Sequence, residues 1–264
     1  MDRKLSVGLM VSVVRNAKHS PTIIRTVKNW PMYFLYYLGI RKGGAAYFFR
    51  SGATLRDREG TASGTIAVVF IRKHYGSVRG KSVIVEIGAN IGTFAIYAAT
   101  EEPSLVVYSY EPIPANYKVL VGNIIENELQ DRIKTFNLGV AGERGQREFY
   151  LASSPEHSLV ETGHSSQSVR IECVSLADIL ASNNLSEVDL LKINAEGAEY
   201  EILYSTPVEC FDKIEEIRME YHGRAEATYN LAHLTAFLER RGYAITHLYE
   251  HTSDEGFVWF KKQK

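Results

Sequence analysis

The sequence predicts an α/β domain in which a mostly parallel sheet is covered by helices on both faces. From residue 83 onward, short apolar and β-branched segments alternate with segments whose apolar residues have helical spacing. Gly, Asn and Pro separate these segments, as expected at turns. Strands that alternate with helices pair in parallel, because each return to the sheet needs a crossover. The 264 residues, 45% of them hydrophobic, suffice for one such domain with an appended segment.

The N-terminal part, residues 1–80, is predicted to be a mainly helical extension that precedes the main domain, residues 81–264. Proline interrupts helices, so the helices of residues 1–42 are expected to break near Pro21 and Pro31. A strand over residues 46–50 and a helix over residues 65–75 are expected to follow, with the boundary at residues 76–81.

The main domain is predicted to contain a seven-stranded sheet and a hairpin-like insertion. The strands of the sheet are expected at residues 83–87, 105–110, 133–137, 188–193, 214–221, 243–249 and 256–261. The insertion is expected from two strands at residues 148–151 and 169–174. Helices are expected at residues 93–99, 113–128, 176–181, 196–204 and 231–241.

The charge of the chain is divided between its two parts. Residues 1–80 contain 14 Lys and Arg against three Asp and Glu, a net charge of +11, whereas the rest carries 16 against 28, a net charge of −12. A basic segment of this kind is typical of proteins that contact an anionic partner or a membrane surface. Packing of the basic segment against the acidic domain explains the pattern equally well, so peripheral membrane contact stays open.

The remaining composition excludes several protein classes. Cys173 and Cys210 match no metal or redox spacing, so no disulfide framework and no metal site are predicted. The chain has no apolar run near 18 residues, and no cleavage site follows the apolar residues 5–14. We expect a cytoplasmic protein with a small-molecule or glycan partner rather than nucleic acid, and a homodimer stays open.

The stretch from Glu86 to Gly92 predicts a nucleotide-like ligand. A buried strand leads into a glycine turn and then a helix, whose first amides face such a ligand. The pattern is Glu86-x-Gly88-x-Asn90-x-Gly92 rather than the G-x-G-x-x-G of dinucleotide sites. A carboxylate at Glu86 repels a pyrophosphate but suits an ammonium or sulfonium group. S-adenosylmethionine is therefore the predicted cofactor, and a nicotinamide dehydrogenase is disfavoured.

Two residues at neighbouring strand ends are predicted to complete the cofactor site. Glu111 ends the second strand of the sheet, where a carboxylate can accept hydrogen bonds from both ribose hydroxyls. Asn137 ends the third strand and is expected to face the adenine edge, although Asn is also common in turns.

Polar residues after the fourth and fifth strands are candidates for catalysis. His222 is the predicted general base, since its ordinary pKa of about 6.5 suits proton removal from a hydroxyl near neutral pH. Glu196 and Glu220 are expected to orient this base or to bind the acceptor. A plain loop position for His222 is the competing interpretation.

Three ordered motifs resemble those of the FkbM family of S-adenosylmethionine-dependent methyltransferases. They are the stretch from Val83 to Phe94, the E-P-x-P run at Glu111 with Leu120 and Asn123, and the D-x-L-K-I-N-x-E-G-x-E run of residues 189–199. The resemblance covers roughly residues 82–223. It implies a class I Rossmann-like methyltransferase fold and O-methylation of a sugar, glycan or secondary-metabolite hydroxyl.

One position departs from the family pattern. Asn194 stands where the family motif usually has Asp, so an oxygen acceptor is kept and the negative charge is lost. We expect Asn194 to remain at the cofactor site, whereas a base or metal role of the family Asp is not carried over. A scaffold of the same fold that binds S-adenosylmethionine without turnover is the alternative.

Overall fold

A computed structural model describes residues 18–151, 167–224 and 226–263 of the chain. Its helices are α1 Ser20–Thr26, α2 Trp30–Tyr37, α3 Ser63–Ile66, α4 Thr93–Glu101, α5 Pro114–Glu126, α6 Leu176–Ser182, α7 Glu199–Tyr204, α8 Val208–Phe211 and α9 Leu231–Glu239. Its strands are β1 Ala45–Phe48, β2 Thr54–Asp57, β3 Val83–Ile87, β4 Val106–Tyr110, β5 Ile133–Phe136, β6 Gly139–Val140, β7 Gly145–Leu151, β8 Gln167–Val174, β9 Leu190–Ile193, β10 Glu216–His222, β11 Tyr243–Glu250 and β12 Glu255–Lys262.

Seven strands form the central sheet in the order β11-β12-β10-β9-β3-β4-β5. Strands β5, β4, β3, β9 and β10 are parallel to one another, and β12 is antiparallel to both of its neighbours. This arrangement is the class I Rossmann-like methyltransferase fold, so the predicted fold class is confirmed. The order reverses beside β3, which places the loops after β3, β4 and β9 around one crevice.

The sheet separates two hydrophobic clusters because successive residues of a strand point to opposite faces. On one face Val85, Ile87 and Leu191 pack in a cluster with α6, α7 and α9. On the other face Ile84 and Leu190 pack with α4, α5 and the N-terminal elements. The central strands are buried on both faces, as their continuous apolar runs predicted.

The N-terminal elements begin at the prolines that were expected to interrupt them. Pro21 and Pro31 lie in the first turns of α1 and α2, where proline is tolerated because no amide donor is needed there. The expected helix over 65–75 is shorter: α3 continues as a π-helical turn, Ala67–Ile71, and the chain then turns at Lys73 with φ of +54°. Residues 1–17, which carry part of the predicted extension, lie outside the described residues.

The hairpin β1–β2 is attached to α5 by two asparagines. Asn123 accepts a hydrogen bond from the amide of Arg56 at 2.8 Å and donates to the carbonyls of Arg56 and Ile91 at 2.9 and 2.8 Å. Asn127 pairs in the same way with the backbone of Thr54. One side chain, Asn123, thus connects the N-terminal part to the turn that follows β3. The division of the chain at residue 80 stays a prediction.

The hairpin-like insertion is present beside the sheet. Strands β7 and β8 pair antiparallel, and β6 adds to β8 in parallel. The helix expected from residue 196 begins only at Glu199, because Glu196 and Gly197 have positive φ angles of 49° and 100° and form a turn. That turn, together with the insertion, surrounds the ends of β3 and β4.

Candidate active site

The turn after β3 is shaped by three residues with positive φ: Gly88, Asn90 and Gly92. The amides of Gly88 and Ala89 both donate to the carbonyl of Tyr110 at 3.0 Å, which joins the turn to the end of β4. A Cβ atom at Gly88 would overlap the carbonyl oxygen of Asn194. Glycine is therefore required at position 88 both for its φ of +76° and for the close approach of the loop after β9.

A cavity of about 640 Å³, including its open mouth, lies against this turn. Five of the predicted site residues line it: Gly88, Asn90, Glu111, Asn194 and Glu196. The other walls are mostly apolar and come from the ends of β4 and β5 and from the insertion, through Tyr110, Pro112, Ile113, Leu138, Gly139, Val140, Phe149 and Ile171. One half of the cavity is thus apolar and the half beside Gly88 is polar.

Glu111 presents a buried carboxyl group to this cavity. Its Oε2 accepts from the amide of Asn90 at 2.7 Å, and its Oε1 accepts from the amide of Ile113 at 3.0 Å. Burial raises the pKa of Glu111 to about 7, although these backbone hydrogen bonds lower it. The carboxylate lies just after β4, where the sequence predicts a contact with the hydroxyls of a ribose. This role in binding stays a prediction.

Glu86 does not line the cavity, so its expected direct contact with a positive ligand is not what the geometry shows. The side chain is fully buried, and Oε2 accepts from the hydroxyl of Ser109 at 2.8 Å. Oε1 lies 3.6 Å from Nζ of Lys192. Burial raises the pKa of Glu86 and the Lys192 charge opposes that effect. Lys192 donates to the carbonyl of Gly88 at 2.7 Å and so supports the turn from β9.

Asn137 and Gly92 also support the cavity rather than line it. The amide of Asn137 donates to the carbonyls of Glu111 and Pro112 at 2.9 and 3.0 Å, which fixes the loop after β4. Gly92 precedes α4 with φ of +91°, and a Cβ atom there would press on Leu120. Leu138 to Val140, the next residues along the chain, form that wall of the cavity, and the contact of Asn137 with adenine stays a prediction.

His222 lies among three glutamates at the ends of β9 and β10. Its Nδ1 is 3.2 Å from Oε1 of Glu199, and its Nε2 is 3.7 Å from Oε2 of Glu196. Burial lowers its pKa, but the hydrogen bond and charge of Glu199, with the charges of Glu196 and Glu220, raise it to about 10. The glutamates thus favour the imidazolium form of His222, whereas its prediction as a general base assumed an ordinary pKa.

Glu199 was missed as a site residue although it belongs to a quoted motif. It is fully buried and accepts from the amides of Ala195 and Gly197, each at 2.9 Å, so it shapes the turn that carries Glu196. The sequence feature that indicates Glu199 as a site residue is its place as the second glutamate of the E-G-x-E run, three residues after Glu196. Glu220 is half-buried beside His222, and burial raises its pKa to about 7.

Metal-ligand residue types also meet at this point. In residues 18–151, 167–224 and 226–263, the ligand atoms of Glu220, His222 and Glu255 lie within 4.8 Å of one another. The expectation that no metal is bound stays a prediction. No helix in the described part of the chain is long and apolar enough to cross a bilayer.

The loops that carry the three motifs lie in a region of the chain that matches a known family. The sequence model of the Methyltransferase FkbM domain matches residues 86–245, which include the turn after β3, Glu111, Asn194 and His222. The chain belongs to the FkbM methyltransferase family. It is therefore a methyltransferase, as the three motifs predicted.

Two methyltransferases are similar to this chain along about three quarters of their length. The chain is 22% identical to the 31-O-demethyl-FK506 methyltransferase FkbM of Streptomyces tacrolimicus over 204 residues, 66% of this chain and 76% of the relative. It is 26% identical to the methyltransferase sdnD of Sordaria araneosa over 194 residues, 62% of this chain and 74% of the relative.

Solved structures are similar as well. A precorrin-6y C5,15-methyltransferase from Geobacter metallireducens GS-15 aligns with a TM-score of 0.45 at 12% identity, covering 73% of this chain and 89% of that one. TrmK of M. capricolum in complex with S-adenosyl-homocysteine aligns with a TM-score of 0.47 at 12% identity, covering 73% and 67%. The assignment to the FkbM family rests on the domain match.

Proposed function

We propose that the protein is an S-adenosylmethionine-dependent O-methyltransferase that acts on a hydroxyl of a sugar, glycan or secondary-metabolite acceptor. The observation that carries the cofactor part is the carboxyl group of Glu111, held by two backbone amides at the wall of the cavity. A carboxylate in that position at the end of the second parallel strand suits the two hydroxyls of a ribose.

The residues around the cavity fit the rest of such a cofactor. The apolar wall of Ile113, Leu138 and Val140 suits a flat adenine ring. Oδ1 of Asn194 is buried at the polar end and has no hydrogen-bond partner among the described residues. A buried acceptor of this kind suits an ammonium or polarised methyl group of a bound ligand. The bound cofactor would supply an electrophilic methyl group.

The acceptor part of the proposal rests on His222 and its glutamates. Glu199 fixes the imidazole through Nδ1, which leaves Nε2 directed toward Glu196 at the cavity wall. Positive charge bound in the cavity would lower the pKa of His222, since like charges disfavour the imidazolium. Once neutral, Nε2 could take the proton that a hydroxyl releases as its oxygen bonds to the methyl carbon, while the methyl–sulfur bond of a bound cofactor would break and leave its electron pair on sulfur.

The relatives support an oxygen acceptor. The protein from Streptomyces tacrolimicus is, by its name, a methyltransferase of an O-demethylated metabolite. An oxygen nucleophile needs a proton acceptor at the site, and His222, whose Nε2 lies 3.7 Å from Oε2 of the cavity-lining Glu196, is the candidate.

Substitution of Glu111 tests the proposal. Glu111→Gln keeps the size of the side chain but removes the charge, so the affinity for S-adenosylmethionine in calorimetry should fall about tenfold or more. In the wild type the affinity should fall as the pH is lowered through about 7, because the carboxyl group becomes protonated. Glu128→Gln, in the exposed turn after α5, is the control. Unchanged affinity in Glu111→Gln, or tighter binding of NAD than of S-adenosylmethionine, would contradict the assignment.

The methyl-transfer part needs a separate measurement. Transfer from labelled S-adenosylmethionine is followed on a panel of methyl glycosides and alicyclic secondary alcohols. Methylation of a hydroxyl supports the proposal. Tight cofactor binding without transfer to any alcohol would instead support the scaffold alternative.

A further inference from the structure

We propose that the hydroxyl group of Tyr75 donates a hydrogen bond to the oxygen of the acceptor hydroxyl and so orients it for methylation. This inference rests on the proposed function and extends it to a residue outside the family match, which begins at residue 86. Four features of the structure lead to it: the burial of the phenol, its lack of a partner, its fixed position and its surroundings.

Tyr75 is buried but its hydroxyl group is not satisfied. The side chain is 3% exposed, and the hydroxyl oxygen has no hydrogen-bond partner in the described part of the chain. Most buried polar atoms in proteins are hydrogen-bonded, and burying one without a partner costs about 1–3 kcal/mol. A phenylalanine would fill the same space without this cost, so the hydroxyl group itself calls for an explanation.

The chain fixes the position of Tyr75 from both sides. Arg218 on β10 donates to the carbonyl of Tyr75 at 2.6 Å and to that of Ser77 at 2.8 Å. The indole of Trp259 on β12 donates to the carbonyl of His74 at 2.7 Å. These bonds hold residues 74–77 against the sheet. The phenol is therefore preorganised and loses little conformational entropy when a ligand binds.

The surroundings of Tyr75 place it between the glycine turn and the His222 group. Its ring lies 5.4 Å from Nζ of Lys192, the same ammonium group that donates to the carbonyl of Gly88. The ring of Phe257 makes an edge contact with that of Tyr75, with centroids 5.3 Å apart, and Phe257 pairs with Glu220 on the neighbouring strand. The phenol therefore lies where the carboxyl ends of β3, β9 and β10 meet.

The chemistry of this location favours a neutral hydroxyl as the bound group. Four carboxyl groups act on the phenol electrostatically, those of Glu86, Glu196, Glu199 and Glu220, against the two cations Lys192 and His222. This negative surplus repels a ligand carboxylate. Burial and these charges raise the pKa of Tyr75, so the phenol keeps its proton and acts as a donor. The oxygen of an acceptor alcohol can accept a hydrogen bond from the phenol of Tyr75, while the alcohol's own proton points to His222.

Tyr75→Phe tests the inference, with Tyr47→Phe as the matched control. Tyr47 is also fully buried with an unsatisfied hydroxyl group, but it lies on β1 among Tyr33 and Tyr36. With the alcohol that the wild type methylates best, Tyr75→Phe should raise the acceptor KM about 5- to 10-fold, the equivalent of one hydrogen bond. Its Kd for S-adenosylmethionine should stay within about twofold, and its Tm should be equal or higher. Tyr47→Phe should leave KM and Kd unchanged.

Two results with an active wild type would overturn the inference. One is an acceptor KM that is the same in Tyr75→Phe and the wild type. The other is a weakened affinity for S-adenosylmethionine with an unchanged acceptor KM, which would assign the phenol to the cofactor. Failure of the proposed function looks different, because the wild type itself would then methylate none of the alcohols, and the role of Tyr75 would fall with it.

Discussion

Glu199→Gln removes the charge that keeps the imidazole of His222 protonated. The wild-type carboxylate accepts from the amides of Ala195 and Gly197 and contacts Nδ1 of His222. Glutamine has the same size and keeps one acceptor oxygen, so it can retain part of this arrangement. We expect the pKa of His222 to fall well below its wild-type value of about 10.

The magnitude follows from the structure. A rise in the pKa of His222 from 6.5 to about 10 corresponds to a net preference of roughly 5 kcal/mol for the imidazolium, which is the attraction of its three glutamates less the cost of burial. Glu199 contributes the largest favourable part. Because the pKa is raised on folding, this stabilisation is complete below pH 6.5 and is lost as the pH rises toward 10. At neutral pH, Glu199→Gln should lower the free energy of unfolding by about 1.5–3 kcal/mol, the range for a charge-assisted hydrogen bond.

Two measurements check this expectation. NMR titration of the His222 ring, assigned with His222→Gln, gives its pKa in the wild type and in Glu199→Gln. Urea unfolding between pH 6 and pH 10 gives the stability, with the exposed Glu187→Gln as the control. A wild-type His222 that titrates near 6.5, or a pKa that Glu199→Gln leaves unchanged, would refute the reasoning.

Two further substitutions test the turn after β3. Gly88→Ala should abolish measurable S-adenosylmethionine binding, because its Cβ meets the carbonyl of Asn194. Gly80→Ala is the control, since it has a similar φ of +75° but free space around the Cβ. It should lower the free energy of unfolding only by the cost of the backbone strain. Equal effects of the two in calorimetry and urea unfolding would contradict this. Lys192→Met should cost about 3–5 kcal/mol of unfolding free energy, because Glu86 is left buried without its cation, and adding Glu86→Gln should restore part of it. A strictly additive double variant would show that the pair is not coupled.

The fold was predictable because its signals are local. Strand β3 is a continuous apolar run followed by Gly88, and α5 starts at Pro114 after a strand end, so period and turn residues fix the elements. Most bounds differ by no more than three residues, and the helix expected over 65–75 ends four residues early, with its π-helical turn at Ile71. At Glu196 the sequence favours a helix, but the turn closes over Glu199 and the helix starts three residues later.

The site was predictable in position and less so in detail. Gly88, Asn90 and Glu111 come together because parallel strands bring their carboxyl ends to one edge. The partner of each charged group could not be read from the sequence. The pairing of Glu86 with Lys192 needs the register of β3 against β9, which the sequence does not specify. The sequence does not indicate the proposed role of Tyr75, because its position depends on Arg218 and Trp259, far away in the chain.

The registers also explain why the charge at residue 194 matters. Glu86, Lys192 and Glu220 lie on the same face of neighbouring strands, so one cation serves several carboxyl groups. His222 is the second cation of this group, and every additional negative charge nearby raises its pKa further. An aspartate at residue 194, beside Glu196, would add such a charge, whereas Asn194 keeps the acceptor oxygen without it. In the proposed reaction Asn194 therefore favours release of the His222 proton, and its departure from the family pattern is compatible with turnover.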